Sequence, residues 1–153
     1  MFLIDSNILV AEILTKYEQD ELTEQYRRFY RQIPLIKRVV TDFVLNEFEL
    51  YMVQVVPSRY QKKMTEEEKR ETRLATVAYM QRVTESFSLD SPSKATIKNA
   101  FILYQRFTQE GHYISFTDSL LLAMAQANGY TLVTKDKRLR MLAHNLDVDS
   151  YRI

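Results

Sequence analysis

Phe2-Leu3-Ile4-Asp5-Ser6-Asn7-Ile8-Leu9-Val10 is the stretch on which the fold class turns. Three apolar residues stop at an acid, a hydroxyl and an amide, and the apolar positions then resume at mixed spacing through Ile13 and Leu14. That pattern suits a short buried strand passing directly into a helix. The same grammar recurs outward from it. Residues 18 to 32 carry Leu22, Tyr26, Phe29 and Tyr30 at spacings of three and four, an amphipathic helix that Pro34 ends. Arg38-Val39-Val40-Thr41 reads as a second strand, and Thr41 or Asp42 can cap a helix running from Phe43 through Val55 to Pro57. Phe87-Ser88-Leu89 fits a third strand. Ser91-Pro92 starts a helix with Ile97, Ala100, Phe101, Tyr104 and Phe107 on one stripe, stopping at Gly111. Ser115 or Thr117 caps the next helix, from about Asp118 to Asn128, which Gly129 ends; Tyr130-Thr131-Leu132-Val133 is the plainest strand. A last helix near 136 to 145 and a terminal strand at Val148 complete the chain. Strands alternating with helices predict an α/β fold with a central parallel β-sheet of four or five strands flanked by α-helices. Residues 58 to 83, dense in Lys, Glu and Arg, read as a charged helical insertion.

Composition narrows the chemistry. With 153 residues, 46% of them apolar, the chain suits one domain spanning 1–153. Lys and Arg number 21 against 20 Asp and Glu, so no global field marks a polyanion-binding protein, and an acidic partner must meet a local patch. The only two glycines, Gly111 and Gly129, cannot build a dinucleotide or phosphate-cradling loop. Without cysteine there are no disulfides, thiolate metal sites or cysteine nucleophiles. His112 and His144 have no recognisable partners and read as surface or packing residues. No stretch approaches the roughly 18 apolar residues of a membrane span, and the start lacks a basic leader, so a cytoplasmic protein without membrane association is expected.

What remains is carboxylate chemistry. Val44, Phe48 and Tyr51 form an i, i+4, i+7 stripe, and Glu47 falls at i+3 of that same inward face. Asp118 heads a second such face with Leu121, Leu122 and Ala125. Asp5 closes the first strand and Asp136 follows the Thr131–Val133 strand, where open parallel sheets bind ligands. Taken singly, Asp5 and Asp136 read as helix caps, Asp118 as a complement to its helix dipole and Glu47 as half of an ion pair. Together they predict convergence on one edge, where mutual repulsion requires a cation such as Mg²⁺ or Mn²⁺ with oxygen ligands. Ser6, Asn7 and Thr134 stand beside the strand-end acids as orienting groups. The cations Lys135, Lys137, Arg138 and Arg140 read first as a solvated face, and beside a metal site as a hold for a phosphate backbone. Tyr113 and Phe116 lie near Asp118, where a ring could stack a base.

These residues resemble the PIN-domain nucleases, the family that contains the VapC-type toxins. The resemblance rests on Phe2-Leu3-Ile4-Asp5-Ser6-Asn7-Ile8-Leu9, on Val44-Leu45-Asn46-Glu47, on Ser115-Phe116-Thr117-Asp118 with Ala125 seven residues on, and on Leu132-Val133-Thr134-Lys135-Asp136. It implies a PIN-like fold, a Mg²⁺- or Mn²⁺-dependent ribonuclease and frequent homodimerisation. It also implies an acidic quartet at Asp5, Glu47, Asp118 and Asp136 supported by Ser6 and Thr134. For the toxin-like members it implies an antitoxin protein partner. Two positions depart from the pattern: Arg138 stands where some members carry a further acid, and the 58–83 segment is longer than compact toxin-like members need.

The reaction expected is hydrolysis of RNA by a metal-activated water, leaving 5′-phosphate and 3′-hydroxyl ends. A haloacid-dehalogenase-type phosphatase would want a second aspartate where Asn7 stands, and a receiver domain an acidic pair near the first strand; both fit poorly. The alternative outside enzymes is a catalytically inactive PIN-like RNA-binding or protein-interaction module.

Overall fold

The computed structural model describes residues 1–13, 21–59 and 64–151. The expectations for Leu14, for residues 18–20 and for the part of the charged segment at 60–63 lie outside the described residues, as do the side chains of Leu22, Tyr26 and Phe29.

Strand β1, Phe2–Ile4, passes at Asp5 into α1, Ser6–Ile13. Helix α2, Glu21–Gln32, leads through a 3₁₀ turn at Leu35–Lys37 to β2, Arg38–Thr41. Helix α3, Asp42–Leu50, continues into a π-helical turn, Tyr51–Val55, and α4, Val56–Arg59. Then come α5, Glu66–Ser86; β3, Ser88–Asp90; α6, Lys94–Gln109; α7, Phe116–Asn128; β4, Thr131–Val133; and α8, Lys137–Asn145.

The four strands form one parallel sheet in the order β3-β2-β1-β4, flanked by helices, as the alternation of elements predicts. Leu3, Ile4, Val39, Val40, Leu132 and Val133 are all fully buried, the near-continuous apolar content of strands covered on both faces. The register pairs Leu3 with Leu132 and with Val39, so the carboxyl ends of β1 and β4 finish side by side. Because β2 and β4 lie on opposite sides of β1, the β1–β4 boundary is where the strand order reverses, the position at which such sheets open a crevice. One connected hydrophobic core reaches from Leu3 to Val148.

Three local expectations change. Pro57 does not end the α3 rod: the π turn before it intervenes, the kind of local widening that accommodates a residue lacking an N–H, and helix resumes through Arg59. The charged segment is largely one helix, α5, that begins with a reciprocal cap between Thr65 and Glu68 and runs three residues past the expected end. Among the described residues, in place of a terminal strand there is one bridge between Leu132 and Ser150, while Val148 is buried in the core. No helix among the described residues is long and apolar enough to cross a membrane.

Candidate active site

Asp5 is the centre of the arrangement, and the β1–β4 register puts it there. Its backbone N–H donates to the Val133 carbonyl at 3.1 Å, which holds the end of β1 against the end of β4. The side chain, 3% exposed, has its Oδ2 accept from the Thr134 hydroxyl and from the Asn7 amide, each at 2.6 Å. Asn7 also donates to Thr134 Oγ1 at 3.0 Å and accepts the Lys135 N–H at 3.0 Å, while the Asp136 N–H donates to Thr134 Oγ1 at 3.0 Å. The strand-end hydroxyl and amide predicted as supports thus form one network that fixes the rotamer of a buried acid.

Glu47 comes from α3, whose first turn is set by Thr41: its hydroxyl accepts the Val44 N–H at 3.2 Å and caps the helix at the end of β2. One turn on, Glu47 lies half-buried beside the fully buried Phe48 and Val44 and accepts the Ser6 hydroxyl at 2.6 Å. Ser6 also reaches Asp5 Oδ1 at 3.3 Å, so one hydroxyl ties the two acids together.

Asp118 sits at the third position of α7 in a reciprocal cap: Ser115 Oγ accepts the Asp118 N–H at 3.0 Å and the Asp118 carboxylate accepts the Ser115 N–H at 2.9 Å. Ser115, not Thr117, is the capping residue. Asp136 caps α8, accepting the Arg138 N–H at 2.7 Å and the Leu139 N–H at 3.2 Å, so the plain reading of this residue as a helix cap holds for its present contacts.

Burial dominates the electrostatics of the acids, and their charges on one another add to it. Burial pushes the Asp5 carboxyl up to about 7; the Thr134 hydroxyl opposes this, and the charges of Asp118 and Glu47 add to it. Glu47 is raised by burial and by Asp118 against the Ser6 hydroxyl. Asp118 is raised by burial and by Asp136, while its bonds to Ser115 and the nearby Arg138 charge pull the other way. Among the described residues none of the four acids forms an ion pair. This is a set of hard oxygen donors whose negative charge is offset only in part, by the Arg138 charge near Asp118, the composition that suits Mg²⁺ or Mn²⁺. In the present side-chain arrangement, however, no group of three or more histidine or acidic side chains among the described residues is close enough to hold one ion. The bonds explain this: Asp118 is turned back onto its own helix start and Asp136 onto α8.

Of the basic residues, Lys137 and Arg138 are exposed at the start of α8 and Lys135 is partly buried. Two contacts had no signal in the sequence beyond the basic run itself: Arg140 donates to the Thr134 carbonyl at 3.0 Å, and Arg138 donates to the Tyr113 carbonyl at 2.8 Å. His112 rests edge-on against Phe107, a packing role.

The family profile of the PIN domain matches residues 2–145. Solved structures similar to this chain include FitAcB from Neisseria gonorrhoeae, with a TM-score of 0.68 at 14% identity over 99% of this chain and 97% of that one. VapC20 of Mycobacterium tuberculosis, a sarcin–ricin-loop-cleaving toxin, superposes with a TM-score of 0.65 at 14% identity over 93% and 95% of the two chains. VapBC-1 from nontypeable Haemophilus influenzae gives 0.61 at 11% identity over 98% and 96%. At these identities the structural likeness establishes the fold. No curated protein matches the sequence.

Proposed function

The chain belongs to the PIN-domain family, and from that premise we propose that it is a Mg²⁺- or Mn²⁺-dependent endoribonuclease. Membership supports a hydrolase acting on nucleic acid. The observation that carries the finer reading is the gathering of Asp5, Glu47 and Asp118 at the β1–β4 crevice, with Ser6 bridging the first two, burial raising all three carboxyls and no ion pair to any of them among the described residues. A site built for packing would neutralise such charge; one built for a divalent cation leaves it available.

In this reading Asp5, Glu47 and Asp118 hold the metal, and Asp136 serves an outer position. When bound, the ion supplies an acidified water and neutralises charge on the scissile phosphate. The remaining work belongs to the chain. Thr134 and Asn7 keep the Asp5 carboxylate in one rotamer, and Ser6 does the same for Glu47. Asp118 or Asp136 would orient the attacking water, and Lys135, Lys137 and Arg138 would hold the phosphate backbone on the α8 side. Water as nucleophile leaves 5′-phosphate and 3′-hydroxyl ends; 2′,3′-cyclic phosphate ends would overturn this chemistry. The chain acts as a single domain in the cytoplasm and as a homodimer. Resemblance to solved toxin–antitoxin proteins supports the toxin role in a type II pair, with an antitoxin as partner.

The competing reading, an inactive RNA-binding or protein-interaction module, draws on the present arrangement, in which no single-ion cluster is assembled. A mixed RNA pool incubated with Mg²⁺, Mn²⁺ or EDTA separates the two. Cleavage that needs metal and falls at least about a hundredfold in a folded Asp5→Asn variant is expected of the nuclease. RNA binding without cleavage by the wild type under every condition would favour the module.

A further inference from the structure

Between α6 and α7 the chain crosses from Gly111 to Ser115, and every residue of the crossing except one has a structural task. Gly111 takes a φ of 82° that suits a residue without Cβ. His112 donates its N–H to the Phe107 carbonyl at 2.7 Å and lays its ring on Phe107. Ile114 packs against the core and Ser115 caps α7. Tyr113 alone points its side chain away, 74% exposed, in no ring contact among the described residues. Its backbone is nevertheless held, because Arg138 Nη1 donates to the Tyr113 carbonyl at 2.8 Å. Arg138 in turn is fixed at its own N–H by Asp136 and lies within electrostatic reach of Asp118. A large exposed ring whose backbone is clamped by a guanidinium near Asp118 has little main-chain freedom to lose when a ligand arrives.

We propose that Tyr113 and Arg138 form the substrate-reading rim of the site: the Tyr113 ring stacks an unpaired base beside the scissile bond and Arg138 holds the adjoining phosphate. The occupant is a single RNA strand, since an exposed ring whose carbonyl is held by an arginine can use the face of an unpaired base, whereas the stacked interior of a duplex offers none. The proposal rests on the nuclease reading of the acids and adds the residues that choose where the strand is cut. It also gives Arg138 a task at the position where some family members carry an acid.

The test uses full-length Asp5→Asn protein in EDTA, so that binding is read without cleavage. Unpaired RNA oligonucleotides carry the fluorescent base 2-aminopurine at successive positions. Binding quenches emission at one or two neighbouring positions. Tyr113→Ala removes that quenching and weakens binding on the order of tenfold, and Tyr113→Phe, which keeps the ring, restores both. Arg138→Ala weakens all oligonucleotides alike and flattens the salt dependence by about one phosphate contact. With Asp5 intact, Tyr113→Ala relaxes the choice of cleavage site while metal dependence persists. Unchanged quenching, affinity and cleavage pattern in Tyr113→Ala, with a wild type that cleaves, overturns the rim and leaves the nuclease standing. If no oligonucleotide is bound and none is cleaved, the nuclease reading falls and takes the rim with it. Loss in Tyr113→Ala of a bound protein partner with RNA affinity intact overturns the proposal in favour of a protein contact.

Discussion

At the carboxyl end of β1, Asp5 is 3% exposed and shares its surroundings with Glu47 and Asp118; at the amino end of β2, Arg38 is 7% exposed and shares its surroundings with Tyr30, Tyr79, Phe87 and Glu12. Both bury a charge at a strand end, and they manage it in opposite ways. Arg38 is satisfied: Nε donates to the Ile33 carbonyl at 3.0 Å, Nη2 to the Tyr30 carbonyl at 2.5 Å, and the guanidinium lies 3.9 Å from the Tyr30 ring centre and 5.2 Å from that of Phe87. Its permanent charge ties the α2–β2 connection to the start of β3. Asp5 is held just as firmly, but burial disfavours its ionisation and the nearby charges of Asp118 and Glu47 add to that. One end spends its buried charge on structure, and the other leaves its acid without an ion pair among the described residues, the contrast expected between a brace and a candidate site.

The largest effect that sharpens this contrast is on the pH dependence of stability. Asp5 titrates near 7 in the fold against an ordinary carboxylate value of 3.8, so the folded state binds the proton more tightly. Stability from this group is therefore complete below pH 4 and lost as pH rises through 7, up to about 4 kcal/mol before screening and relaxation reduce it. In EDTA, wild-type protein should lose thermal stability relative to Asp5→Asn between pH 4 and 8, with Asp5→Asn the more stable at pH 8. Added Mg²⁺ or Mn²⁺ should recover the wild type above pH 7 and leave the variant unmoved. Identical pH profiles for the two proteins would mean that Asp5 is as satisfied as Arg38.

A smaller effect is expected at the brace. Arg38→Met keeps much of the volume but takes a donor from the Ile33 carbonyl, leaves the Tyr30 carbonyl with the Ile33 N–H, and removes both ring contacts, so chemical denaturation should show a loss of about 2 kcal/mol with little pH dependence. Cleavage under conditions where the variant is folded should stay within about twofold of wild type. A stable but inactive variant would show that the two ends are coupled.

The acid end was readable in the sequence because its signals are local. Asp5 interrupts an apolar run, Glu47 breaks an apolar stripe, and Ser115 stands three residues before Asp118. The strands and the Gly129 stop, with its φ of 65°, follow from equally short patterns. The brace left no such trace. Arg38 reads as the polar start of a β-branched run, and only the packing of α2, β2 and α5 reveals that its guanidinium lies between rings. The π turn before Pro57 and the lone bridge at Ser150 are also outcomes of tertiary fit, as is the retreat of Asp118 onto the Ser115 N–H. Sequence periodicity says which face a carboxylate occupies and is silent about which donor it faces there.

The smallest effects come from removing one hydroxyl at each end. Ser6 Oγ donates to Glu47 at 2.6 Å and reaches Asp5 at 3.3 Å, so Ser6→Ala strips a donor from carboxylates that already repel one another. Glu47 should titrate higher still, and stability at pH 8 should fall by about 1 kcal/mol, recovering as pH drops and the acids protonate. The Tyr30 hydroxyl is buried beside Tyr79 and Arg38 without a well-formed hydrogen bond among the described residues, and burial raises its titration while the Arg38 charge opposes the rise. Tyr30→Phe keeps the ring that Arg38 lies against and removes a hydroxyl that has no well-formed hydrogen bond among the described residues, so the change should stay within about 0.5 kcal/mol. Melting curves of the two variants at pH 5 and pH 8 decide the matter. A pH-sensitive loss confined to Ser6→Ala supports a charge reserve at one end only, whereas a loss of 1 kcal/mol or more in Tyr30→Phe would mean that the brace, too, depends on a polar bond through this hydroxyl.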